Sequence, residues 1–136
     1  MNDSVPDSIK AQRWTAYGLT TLAGLFLTFD TVIKLLRLPP AVEGTVALGY
    51  PEHTVALIGA IELVCLVLYL VPQTAALGAV LMTGYLGGAI ATHVRVGNPL
   101  LSHTLFPIYV AAMLWGGLYL REPRLRALLP MRRTRG

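Results

Sequence analysis

Six ionisable side chains sit in or beside otherwise apolar stretches: Asp30, Lys34, Glu62, His93, Arg95 and His103. Glu62 is the most telling, because it falls about ten residues into an apolar run. A carboxylate at that depth is costly, so it must face protein, carry a proton or find a cation. Asp30 and Lys34 are four apart and share a helix face, so they can pair directly; equally, Lys34 could snorkel to the membrane surface with Asp30 as its partner. Arg95 and the two histidines could bind the polar head of an amphipathic ligand, and Arg95 is the cation expected to reach Glu62. His93, His103 and Glu62 could supply three metal ligands, but no His-x-x-x-His spacing supports that and no metal is assigned. No nucleotide loop, serine triad or haem motif occurs, although the two histidines leave a bis-histidine haem open. The residues alone assign no reaction and no cofactor.

The elements that must position these groups are transmembrane helices. The 136-residue chain is 54% hydrophobic and 13% charged, against about 25% charged in a soluble domain. Four apolar stretches are long enough to cross a bilayer core of about 30 Å. The expected fold is an all-α membrane protein, a four-transmembrane-helix antiparallel bundle with spans at about 14–36, 52–71, 74–96 and 99–120. Residues 1–13 are expected to form a flexible tail and 121–136 a basic one. Between the first two spans, Arg37-Leu-Pro-Pro breaks the chain, and Gly49 and Pro51 stop the segment after it. A short surface helix in the first loop is therefore expected, roofing the mouth of the bundle. One cysteine, Cys65, excludes dithiol chemistry within the chain.

Within the second span, Glu62 shares a stripe with Val55, Gly59, Leu66 and Tyr69. The third carries two rows of small residues, Ala75–Ala79–Thr83–Gly87–Ala91 and Ala76–Val80–Gly84–Gly88–Thr92. Such rows admit a close helix neighbour, or leave a groove for a lipid or quinone tail; packing is the expectation, with this helix the most buried. Gly97 should end it, Asn98 cap the fourth span, and Pro107 kink that span.

Eight basic residues fall beside the termini-side ends of the spans and three (Lys34, Arg37, Arg95) at the other. This places both termini in the cytoplasm and the protein in the cell (inner) membrane as a multi-pass protein. Trp14, Tyr17, Tyr69, Trp115 and Tyr119 gather at the cytoplasmic ends as an aromatic belt. The six ionisable groups then converge within roughly 15–18 Å of the outer surface, at ~1.5 Å rise per residue, as a polar cavity open to that face. The positive charge is topological and implies no nucleic acid partner.

The stretches FDTVIKLL (29–36), GYPEHTVALIGAIELVCLVLYLVP (49–72), TGYLGGAIATHVRVGNPLLSH (83–103) and LWGGLYLREPRLRALLP (114–130) together resemble the DoxX-like integral membrane proteins. The resemblance implies a four-helix membrane bundle of mostly unassigned role. Its relatives include a membrane subunit of a thiosulfate:quinone oxidoreductase and proteins linked to oxidative or thiol stress. Three readings stand open: a quinone- or redox-linked component, a small-molecule or proton-coupled transporter or binding protein, and a non-catalytic scaffold in a homo-oligomer or larger membrane complex. The bilayer is a partner in all three; a quinone, a lipid or another small molecule is the candidate ligand.

Overall fold

The computed structural model describes residues 6–129. Four helical segments are long and apolar enough to span a membrane: Asp7–Leu35, Glu52–Leu70, Ala75–Arg95 and Leu100–Arg121. The elements, in chain order, are α1 (Asp7–Leu35), α2 (Pro39–Ala47), a 3-10 turn (Glu52–Thr54), α3 (Val55–Leu70), α4 (Ala75–Arg95), a π turn (Leu100–Thr104), α5 (Phe106–Arg121) and α6 (Pro123–Leu128). The all-α bundle expected from the apolar runs is the fold found, with α2 as the short helix in the first loop.

Boundaries differ where local chemistry overrides composition. α1 starts at Asp7 rather than near Trp14, because Pro6 is extended at its N-cap and Asp7 complements the helix dipole in the first turn. The basic tail is helical over Pro123–Leu128: Pro123 opens the helix and the Glu122 side chain accepts from the Arg124 backbone N–H. Arg132, Arg133 and Arg135 lie outside the described residues. Gly97 ends α4 with φ +72°, the left-handed conformation that glycine adopts freely. Asn98 does not cap the next span as expected. Its side chain turns back to His93 Nδ1 at 2.7 Å, and the chain enters the π turn through Pro99. Pro107 does not kink a continuous α-helix either. The π turn takes up the first five residues of the span, and α5 begins at Phe106 with Pro107 in its opening turn, where a missing N–H costs nothing.

Around the bundle α1 packs on α3 and α5, α4 packs on α3, and the α4–α5 seam is looser. The core lies toward the termini-bearing end, where Ala23, Leu27, Leu66, Tyr69, Met82, Leu114 and Leu118 are buried. Tyr69 belongs to this core and not to the aromatic belt. It is 0% exposed, and its hydroxyl donates to the Leu114 carbonyl at 2.7 Å. Trp14 and Tyr17 are exposed at that end, as belt residues are.

Close helix approach is made by glycines outside the small-residue rows. A Cβ on Gly78 would strike the α3 backbone at Leu68–Tyr69, and one on Gly117 would meet Thr20 and the Ala16 carbonyl of α1. Gly84, Gly87 and Gly88 instead face open space. The expectation that α4 is the most buried helix is therefore wrong; its buried share equals that of α1 and α3. Spacing licenses an approach but does not choose the face a neighbour takes, and here α3 settled on the Gly78 face.

Candidate functional site

At the end of the bundle away from the termini the spans part around a cavity of about 720 Å³, within the ~300–1,000 Å³ usual for small-molecule sites. Asp30, Lys34, Glu62, His93 and His103 all line it, and α2 roofs it through Ala41, Gly44 and Thr45.

The base is built by α1 and α3. Gly59 stands one turn before Glu62, and a Cβ there would lie 2.8 Å from Lys34 Cβ and 3.2 Å from the Leu35 N. The missing side chain lets the end of α1 come close enough for Lys34 to turn inward. Lys34 Nζ spends its three protons on Asp30 Oδ2, Glu62 Oε2 at 2.9 Å and Tyr85 Oη at 2.8 Å. The Tyr85 hydroxyl in turn donates to Glu62 Oε2 at 2.9 Å. The lysine thus joins two carboxylates and a phenol from three helices, and it does not snorkel.

Glu62 shares the buried face of α3 with Val55, Gly59, Leu66 and Tyr69, the stripe expected from the sequence. It is 0% exposed, and its Oε1 has no hydrogen-bond partner. Asp30, by contrast, keeps 29% of its side chain accessible and Lys34 keeps 15%. A molecule in the cavity would touch Asp30 and Lys34 first, with Glu62 behind them. Two carboxylates against one ammonium leave the cluster one negative charge in surplus. In a low-dielectric setting that surplus calls for a proton or a bound cation.

Arg95 is not part of this cluster, contrary to expectation. Its guanidinium donates to the Leu48 carbonyl and lies against Gly49. The reason is local: α2 ends at Ala47, its last carbonyls lack intrahelical partners, and a cation is favoured there. Arg95 thereby ties the roof to α4, as does the Tyr50 hydroxyl with Thr92 Oγ1 at 2.8 Å. Arg37 pairs with Glu52 at 3.1 Å and braces the other end of α2.

The imidazoles of His93 and His103 stand edge to face, with ring centroids 6.0 Å apart. Nδ1 of each is engaged locally, by Asn98 for His93 and by Ser102 at 2.8 Å for His103. Among the described residues no three His, Cys, Asp or Glu side chains group as a metal site. Cys65 is buried in the bundle.

Sequence reasoning missed Tyr85, Tyr50 and Asn98. Tyr85 carried a signal: it is the one bulky polar-headed residue among Gly84, Gly87 and Gly88, at the depth of Glu62. No curated protein and no solved structure matches this chain. The sequence pattern of the DoxX-like family matches residues 18–117, most of the four-span region. The chain belongs to the DoxX-like family and is a multi-pass membrane protein.

Proposed function

We propose that this protein binds a small amphipathic molecule in the roofed cavity and hands it across or along the membrane. The polar group meets Asp30 and Lys34, and Glu62 and Tyr85 hold the lysine in place behind them. One observation carries the reading: a ligand-sized cavity ends on a cluster in which two carboxylates share one ammonium and a fully buried carboxylate oxygen has no partner. A scaffold needs no such cavity, and a buried network kept only for packing would have every atom satisfied. The arginine asymmetry supports an orientation with both termini in the cytoplasm and the cavity toward the outer face of the cell membrane.

A quinone-linked role is the second reading. It is favoured by the edge-to-face pair of Phe26 and Phe106, 5.1 Å between centroids, in the cavity wall. A flat ring could stack there with its oxygens toward Tyr85 or the histidines.

The test is mass spectrometry of small molecules released from gently purified protein. Ala89 lines the cavity, so Ala89→Trp should fill it. Wild type should release a compound that Ala89→Trp lacks, and a quinone or its quinol would select the second reading. Identical extracts from the two proteins would overturn both readings.

A further inference from the structure

The cavity does not end at the roof. Ile61 lines it, yet Ile61 belongs to the exposed stripe Leu57–Ile61–Val64 on the lipid side of α3. On α4, Gly84 and Gly88 line it too, and they continue the exposed face of Leu77 and Leu81 at spacings of four, three and four residues. Along that face the side chains change from leucine to glycine as the helix reaches the depth of Glu62, and, its own helix backbone and chain neighbours aside, a Cβ on either glycine would have no atom within 4 Å. Beside the Asp30–Lys34–Glu62–Tyr85 cluster the cavity lining therefore reaches residues exposed on the outer faces of both α3 and α4.

We infer that the cavity is loaded sideways from the bilayer, through this α3–α4 portal, by a single-chain lipophilic amine. The inference rests on the binding role proposed above and names its substrate class. The head follows from the groups a ligand meets: Asp30 offers an accessible carboxylate that shares one ammonium with Glu62, and all three Lys34 protons are already committed, so an anionic head finds no free donor there. The tail follows from the wall: a single chain can lie along Gly84 and Gly88 between Ile61 and the α4 backbone and pass out among the lipids. Admission from the lipid phase also avoids the roof, which Arg95, Tyr50 and Arg37 hold at three points.

The test uses the full chain in lipid nanodiscs, with radiolabelled decylamine, decanol and decanoate as probes and empty nanodiscs as background. Wild type should bind decylamine at least tenfold more tightly than decanol, and decanoate not above background. Asp30→Asn should lose that preference. Gly84→Phe and Gly88→Phe project a ring into open space, so they should keep the wild-type unfolding temperature while slowing decylamine association at least tenfold. Ile61→Trp closes the same portal from α3 and serves if either glycine variant is unstable. Radiolabelled ethylamine, which has no tail to seat in the portal, should bind wild type and the plugged variants with equal affinity. Equal affinity for decanol, unchanged association in the plugged variants, or no decylamine binding above background would each overturn the inference. Because the extraction experiment does not depend on decylamine, a compound released there alongside failure here would leave the binding role standing and remove only the amine and its portal.

Discussion

Replacing Lys34 with methionine isolates what holds the cluster together. The substitution keeps the length and most of the apolar stem, so packing against Gly59 survives while the ammonium goes. Two carboxylates, one from α1 and one from α3, are then left without the ammonium between them. Glu62, 0% exposed, keeps a single donor, the Tyr85 hydroxyl, on Oε2 and none on Oε1. Removing one partner of a buried ion pair costs about 3–5 kcal/mol, because an uncompensated charge remains. Taking up a proton lowers this toward the cost of the hydrogen bonds lost, about 1–3 kcal/mol. For a bundle of this size, the range corresponds to a fall in unfolding temperature on the order of 10 °C. Detergent-solubilised variants can be ranked by thermal unfolding followed with tryptophan fluorescence. The rescue is more diagnostic than the loss: Lys34→Met combined with Glu62→Gln should recover at least half the deficit, since the second change removes the charge the first left unpaired. A Lys34→Met protein as stable as wild type, or a double variant that simply adds two losses, would refute the arrangement.

Further outcomes rest on the same geometry. Gly78→Ala should destabilise strongly, by several kcal/mol, because its Cβ strikes the Leu68–Tyr69 backbone, whereas Gly84→Ala should be neutral or slightly stabilising through helix propensity of up to about 1 kcal/mol; thermal unfolding separates them. Tyr69→Phe should cost about 1 kcal/mol by removing the buried bond to the Leu114 carbonyl, with no change in ligand content. Arg95→Ala should leave the cluster intact but free the end of α2, read as faster amide exchange over Pro39–Leu48 and unaltered exchange in α3. For topology, cysteines introduced at Asn98 and at Arg126 should react with impermeant maleimides from opposite sides, Asn98 from outside.

The features legible in the sequence were those set by one helix at a time. Apolar run lengths located the spans, an i,i+4 spacing paired Asp30 with Lys34, and periodicity placed Glu62 on the buried stripe with Gly59. The features that could not be read depended on which neighbour arrives where. Arg95 and Lys34 stand at the same end of the bundle, and composition cannot tell that the carbonyls of α2 capture one while Gly59 admits the other. The glycine rows of α4 carry the signature of close packing, yet α3 uses Gly78 and leaves Gly84 and Gly88 open. Tyr69 resembled an interfacial aromatic because its place near a helix end is visible and its partner, the Leu114 carbonyl 45 residues away, is not. Tyr85 was passed over because a tyrosine in an apolar helix resembles core until its hydroxyl is seen between a lysine and a glutamate.

The most direct test of the account asks where the Lys34 ammonium is. The sequence contains only two lysines, Lys10 and Lys34, and Lys10 pairs with Asp7 on the surface. Protein carrying 15Nζ-lysine and 13Cδ-glutamate, reconstituted in lipid, therefore gives two nitrogen signals by solid-state NMR, and a dipolar recoupling experiment measures their distance to glutamate carboxyl carbon. With Nζ 2.9 Å from Glu62 Oε2, one lysine should show a strong coupling corresponding to about 4 Å or less, given hydrogen-bond geometry, and Glu62→Gln should abolish it. Two uncoupled lysines would mean that Lys34 snorkels to the membrane surface, and the cavity would then lack the base on which the proposed binding depends.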